Sequence, residues 1–481
     1  MLHRKRWLAL ATAGITTAAL AAGPTSAYAG GDNSDAGDRV ASGSGQVASA
    51  YFADWDVYGR GYEVADIPAD NLNTILYAFG KPVVGTDPKA PVSCAPVDPW
   101  ADYERTPARD VNAAVTVPKL SGNFAQLLKL KAKQAAKGKD LKVIISIGGW
   151  SLSEGFSQAA ATPDARRAFV ASCLDTFIKG NLPPDWIVGD GVGAAAGLFD
   201  GIDIDWEYPT AAGAGNTHTA ADRHNATELF QEFRRQLDAL GKTADKHYLL
   251  TAAIPAAKNS NNYYELKKVS QILDYINVMT YDFHGSWDPF TDFDSPFKFS
   301  AKSPNPGIDP TWSVTGTVDY YLSQGVAPWK INVGIPYYAK QYIRVGTKEG
   351  GLYQPYDNTG LDPNSQQWDQ TPTPTYHDLV DVAGILTPGG QLTPAGAAAG
   401  WVIRRNLITH EPSLYNASAT HVLAGGTISV PTFITYEDPQ AIAERANYVQ
   451  RLGLRGGFAW EISQDSNAGA LSGTLGGILI H

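Results

Sequence analysis

Four acids fall within eight residues in the segment Phe199-Asp200-Gly201-Ile202-Asp203-Ile204-Asp205-Trp206-Glu207-Tyr208-Pro209. In an extended chain, residues i, i+2 and i+4 share one face. Asp203, Asp205 and Glu207 therefore point the same way, about 7 Å apart at successive Cα atoms. Ile202 and Ile204 point the other way, as a barrel strand requires when its outer face packs beneath helices. Three carboxyls crowded together with no Lys or Arg beside them in the sequence repel one another and lose solvent. At least one then keeps its proton toward neutral pH, which prepares a proton donor. Asp200 is out of phase with the other three and reads as a turn or supporting residue. A Ca²⁺ or Mg²⁺ site is the other use of clustered acids, but strict period two on a strand is not a liganding loop, so no metal is expected. The chain has no HExxH, GxSxG or P-loop motif, and no cofactor is expected either.

Such a row must be carried on a rigid frame. Short β-rich runs recur at Val47–Phe52, Thr74–Phe79, Lys142–Ile147, Gly201–Trp206, Tyr248–Ala253, Tyr275–Thr280, Ile331–Ile335 and Gly457–Trp460. Helical patterns lie between them, among them Asn123–Lys137, Pro163–Lys179 and Thr219–Leu240. Strands that alternate with helices predict a parallel sheet, and eight such units close most naturally into a (β/α)8 TIM barrel. An open doubly wound sheet would show a Gly-rich phosphate loop after its first strand, and none is present. The interval Lys81–Leu120 is long for a loop. Residues 340–433, rich in Tyr, Thr, Gly and Pro, read as a small α+β insertion on the barrel's rim, with strand-like pieces at Gln341–Gly346 and Gly400–Ile408. The catalytic barrel is thus expected to comprise 46–339 and 434–481.

The ends and the composition bound the setting. Arg4, Lys5 and Arg6 precede an apolar run, and Ala27-Tyr28-Ala29 fits an A-x-A cleavage site, so residues 1–29 read as a secretory signal peptide. Residues 30–45 form a polar, flexible lead-in. The product is expected to be secreted and extracellular, and to act as a monomer. The 481-residue chain is 44% hydrophobic and 18% charged, which excludes a disordered tail. Its net charge of −10 disfavours nucleic acid and anionic membranes as partners, whereas a neutral polymer would not be repelled. Twelve Trp and twenty-three Tyr serve either as core or as platforms for sugar rings. Cys94 and Cys173 can pair only if the fold brings them within bridging distance.

The sequence Asp200-Gly-Ile-Asp203-Ile-Asp205-Trp-Glu207 resembles the DxxDxDxE signature of family 18 glycoside hydrolases, the chitinases. Ser146-Ile147-Gly148-Gly149 is similar to that family's SxGG motif. Met279-Thr280-Tyr281-Asp282 is similar to its MxYD motif, and Gly457-Phe458-Ala459-Trp460-Glu461 to its eighth strand with a buried Trp. Tyr51-Phe52-Ala53-Asp54-Trp55 and Tyr77-Ala78-Phe79 resemble its first two strands, so the likeness runs from Val47 to Asp465. One departure stands out: Tyr338-Ala339-Lys340 replaces a common Tyr-Gly-Arg.

The resemblance implies substrate-assisted retention, in which the substrate's 2-acetamido oxygen replaces an enzyme nucleophile. It makes Glu207 the general acid and base, and gives Asp205 the acetamido N–H and the oxazolinium charge. Asp203 would share a proton with Asp205, and Tyr281 would bond the acetamido carbonyl. Trp460 would floor the reactive sugar. Asp282, Met279, Tyr51, Phe79, Ser146, Trp150, Tyr208 and Tyr338 match lining or supporting positions. The implied substrates are chitin and chitooligosaccharides. An endo-β-N-acetylglucosaminidase acting on glycoprotein chitobiose cores would use the same acids, whereas a chitin-binding lectin on this barrel would not need Glu207.

Overall fold

Each β-rich run with an apolar residue at every second position becomes a strand with one face inward and one outward. The computed structural model describes residues 45–481 apart from 88–89, 259–262, 362–367, 369–372 and 424. The expected signal peptide, and all of the lead-in but Gly45, lie outside the described residues. Eight parallel strands follow one another around the barrel: Val47–Ala53, Thr74–Val83, Lys142–Gly148, Gly201–Asp205, Leu249–Pro255, Tyr275–Met279, Ile331–Pro336 and Gly456–Trp460. The first pairs with the second (Ala50 opposite Ile75) and also with the last (Ala50 opposite Ala459), which closes the ring.

Alternation sorts the side chains into two cores. Tyr51, Leu76, Ala78, Phe79, Ile144 and Phe458 meet inside the barrel. Their neighbours Phe52, Ile75, Tyr77, Val143 and Ile145, with Ile202 and Ile204, pack outward under the helices. The helices begin where local chemistry satisfies their free N–H groups. Thr162 and Asp438 each accept a hydrogen bond from the third residue of Pro163–Cys173 and Pro439–Leu452, with Pro at the first helical position. Gly453, in the left-handed conformation, ends the second of these.

The long interval after the second strand is not shapeless. Ser93–Pro96 adds an antiparallel strand to the end of Thr74–Val83, and Cys94 forms a disulfide with Cys173 across 79 residues of sequence. The pairing that the sequence left open is therefore made, and it fastens this loop to the helix Pro163–Cys173.

Outside the barrel, four antiparallel strands are ordered Val402–Arg405, Pro412–Leu423, Gly426–Thr435 and Lys340–Ile343. The sheet extends two residues past the expected boundary at 433. Its largest part is the hairpin Pro412–Leu423 with Gly426–Thr435, which the sequence reading had not singled out. A buried ion cluster ties this sheet to the barrel. Arg445, on the helix Pro439–Leu452, reaches Glu411 and Glu437 at 2.7 Å each. It also donates to the Ser295 carbonyl at 2.5 Å, while Glu411 accepts the Phe297 N–H at 2.9 Å.

Candidate active site

Asp203 points into the barrel, where four neutral donors surround its carboxylate. Oδ1 accepts from Thr251 Oγ1 at 2.6 Å and Asn277 Nδ2 at 3.0 Å. Oδ2 accepts from Ser146 Oγ at 2.7 Å and the Tyr51 hydroxyl at 2.9 Å. Asn277 is itself held by Asn332, whose Nδ2 donates to its Oδ1 at 2.8 Å. Tyr51 and Ser146 thus lie beneath the open site and support Asp203. None of these four bonds comes from Asp205, whose own Oδ1 is buried without a hydrogen-bond partner.

Past the strand's end at Asp205 the chain continues in the same phase, and Glu207 joins Asp205 on the wall of a cleft of about 440 Å³. Phe79, Trp150, Met279, Tyr281, Asp282, Tyr338 and Trp460 line the same cleft, and Tyr208 lines its continuation beside Glu207. Trp460 is only half-buried, contrary to the buried Trp expected, because one part of its ring faces the cleft. Phe79 stacks on it at 5.8 Å and 24° between planes, and Tyr51 packs beside it at 5.1 Å. Tyr208 stacks on Tyr263 at 5.0 Å.

Removal from water decides the electrostatics. Burial pushes the Glu207 carboxyl up to about 7; the charge of Asp282 adds to this, and the Tyr208 hydroxyl opposes it. Asp205 is held well above the carboxylate range by burial and then by the charges of Glu207 and Asp203. Burial also raises Asp203, against its four hydrogen bonds. A carboxylic acid that keeps its proton near neutrality at the edge of an open cleft is equipped to protonate a leaving group.

Several positioning groups escaped the sequence reading. Ser153 Oγ accepts the Glu207 N–H at 2.8 Å and has the Gly149 and Asp205 carbonyls at 2.9 and 3.2 Å as acceptors for its own hydroxyl, so it holds the backbone beside both acids. The Tyr264 hydroxyl donates to the Trp206 carbonyl at 2.6 Å. Trp55 lines the cleft beside Phe79, their ring centroids 6.0 Å apart. Thr251 and Asn277 carry a usable signal, since both are polar residues in the inward phase of buried strands. Gly148 of the SxGG segment has a geometric cause: its φ is +113°, and a Cβ there would lie 2.1 Å from the Asp205 carbonyl oxygen. Only glycine lets the third strand approach the acid-bearing strand this closely. Asp200 pairs with Lys131 and Lys246 at 2.7 Å each and accepts the Val143 N–H, a supporting role away from the cleft.

A closed (β/α)8 barrel with a buried acid raised to about 7 just beyond its fourth strand, in an aromatic cleft, is the architecture of a glycoside hydrolase. The chain belongs to Glycosyl hydrolases family 18, which matches residues 47–465. It is 30% identical over 444 residues to Chitinase A1 of Niallia circulans, covering 87% of this chain and 56% of that protein. It is 29% identical to Chitinase 1 of Aphanocladium album, covering 88% of this chain and 82% of that one. Among solved structures, the catalytic domain of psychrophilic chitinase B from Arthrobacter TAD20 superposes with a TM-score of 0.73 at 30% identity, over 90% of this chain and 95% of that chain.

Proposed function

We propose that the protein is a secreted chitinase that hydrolyses β-1,4-N-acetylglucosamine linkages in chitin and chitooligosaccharides by substrate-assisted retention. The observation that carries this reading is Glu207, a buried acid raised to about 7 in a cleft shared with Asp205, Tyr281 and Trp460. Glu207 protonates the glycosidic oxygen as the bond to the anomeric carbon breaks. The acetamido oxygen attacks that carbon from the opposite face, and Asp205 and the Tyr281 hydroxyl hold the acetamido group. The ionised Glu207 then takes a proton from water as the water opens the oxazolinium. Asp203, bound by four donors, keeps the strand's polar interior in register beneath Asp205. The leader sequence supports export, and the reading takes 46–339 with 434–481 as the catalytic barrel and 340–433 as an insertion.

Two outcomes are expected. Labelled chitohexaose is cut to shorter oligomers, whereas matched cellohexaose is not, because without the acetamido group the cleft offers no nucleophile. Product chromatography distinguishes this from comparable cutting of both, which would overturn substrate assistance. Release of glycans from a glycoprotein without cutting of chitohexaose would favour the endoglycosidase, and binding without cutting would favour the lectin. Because Glu207 must enter protonated, kcat/KM is expected to fall about tenfold per pH unit above about 7. A flat profile to pH 9 would show that another group donates the proton.

A further inference from the structure

The far wall of the cleft departs from the common pattern at Lys340, the first residue of the insertion strand Lys340–Ile343, paired with Thr435. Its Nζ lies 2.5 Å from Asp282 Oδ1 and 3.7 Å from Asp294 Oδ1. The ammonium sits over the rings of Tyr338 at 4.9 Å and Trp287 at 5.2 Å. Trp287 reaches this place by folding back on Gly285, where a Cβ would meet the indole at 2.4 Å.

Asp282 is held from several sides. Its N–H donates to Asp294 Oδ1 at 3.1 Å, and its Oδ1 also accepts the Tyr338 hydroxyl at 2.9 Å. Its φ of +55° is one that residues other than glycine seldom adopt. Lys340, Asp282 and Glu207 all line the one cleft.

We infer that Lys340 is a positioning residue for the proton donor: by clamping and neutralising Asp282 it shields Glu207 from a second negative charge. The inference rests on the proposed role of Glu207 as general acid. Lys places a compact point charge between two carboxylates and two rings, and a guanidinium, which also stacks on rings and pairs with carboxylates, would keep that charge there. The titratable groups facing Asp282 are Lys340 and Tyr338 from the far wall, Asp294 from the loop after the sixth strand, Tyr281 beside it, and Glu207 across the cleft. Those facing Glu207 are Asp205, Tyr208, Tyr264, Tyr281 and Asp282. Burial opposes the charge on Lys340, but Asp294 and Asp282 outweigh it and hold the ammonium protonated. Burial, and then the charge of Asp282, lift Asp294 to about 8 despite Lys340. Lys340 is thus the cation that meets the cluster's charge.

The test is kcat/KM against pH on a chromogenic chitobioside for Lys340→Met, Lys340→Arg and the double variant Lys340→Met with Asp282→Asn. Losing the cation leaves Asp282 facing Glu207 unscreened, which disfavours ionisation of Glu207. In Lys340→Met the alkaline limb should move up by roughly half to one pH unit. Lys340→Arg should bring it back toward the wild-type position, as should the double variant. A packing role alone would lower kcat/KM without moving the limb. An unmoved limb in Lys340→Met, a limb moved downward, or a limb that neither second variant restores would overturn the inference. Should Lys340→Met fail to fold, Lys340→Gln gives the same reading. Glu207→Gln run alongside separates the two levels: near-wild-type activity there would remove the general-acid assignment itself. Loss of activity there with an unmoved limb in Lys340→Met removes only the role of Lys340.

Discussion

Replacing Glu207 with Gln lowers turnover of a chromogenic chitobioside by at least about a thousandfold while affinity for the sugar is retained. The amide has the shape of the acid but no proton to give, and general acid–base terms contribute roughly 10²–10⁴ in rate. The local frame should survive, because it is built from backbone bonds. Ser153 holds the Glu207 N–H, and Trp206 remains stacked on Phe156 at 5.3 Å and 19°. Steady-state kinetics with a parallel binding measurement checks both halves. Activity within tenfold of wild type would end the assignment.

Arg445→Met destabilises the fold by about 3–5 kcal/mol, since it strands two buried carboxylates that shared one cation. The pH dependence carries its own sign. Burial already raises Glu411 and Glu437 while Arg445 pulls both down. A raised acid contributes stability that is full below the ordinary Glu range and is lost as pH rises through its folded value. Removing Arg445 raises both further, so the deficit should widen as pH rises above the ordinary Glu range and through neutrality. Adding Glu411→Gln and Glu437→Gln should recover much of it. Thermal denaturation of the three proteins across that range is the measurement, and a deficit that shrinks with rising pH would refute the charge argument. Because Glu411 directly precedes the outer-sheet strand Pro412–Leu423 and Arg445 lies on the helix Pro439–Leu452, the same variant reports how firmly that sheet and the barrel are joined.

The eight strands were legible because each is short, β-rich and flanked by helical pattern, and their observed limits differ from the expected ones by a few residues at most, save where the second runs on to Val83 to meet Ser93–Pro96. The acid row was legible because period two alone places Asp203, Asp205 and Glu207 on one face. What escaped depends on partners distant in sequence. Thr251 and Asn277 stand out in the sequence only as polar residues in an inward phase, and that both reach Asp203 follows from the closed ring. Ser153 acts through a backbone N–H that no motif marks. Lys340 was visible as a departure from a common pattern, but its hold on Asp282 joins residues 58 positions apart. The hairpin Pro412–Leu423 with Gly426–Thr435 had a signal in the glycines between two β-branched runs.

The glycine at 148 also governs how this enzyme can change. Because the Asp205 carbonyl stands where any Cβ would lie, a larger residue there must push back the strand end that carries Asp205 and, two residues on, Glu207. The acid-bearing edge is therefore closed to gradual adjustment from its neighbour on that side. Variation in working pH or sugar preference has to arise on the opposite bank, among the loops and the outer sheet, where a residue such as Lys340 acts on the cleft without moving the backbone that carries Glu207. For the engineer the near wall is to be inherited whole and the far wall to be rewritten.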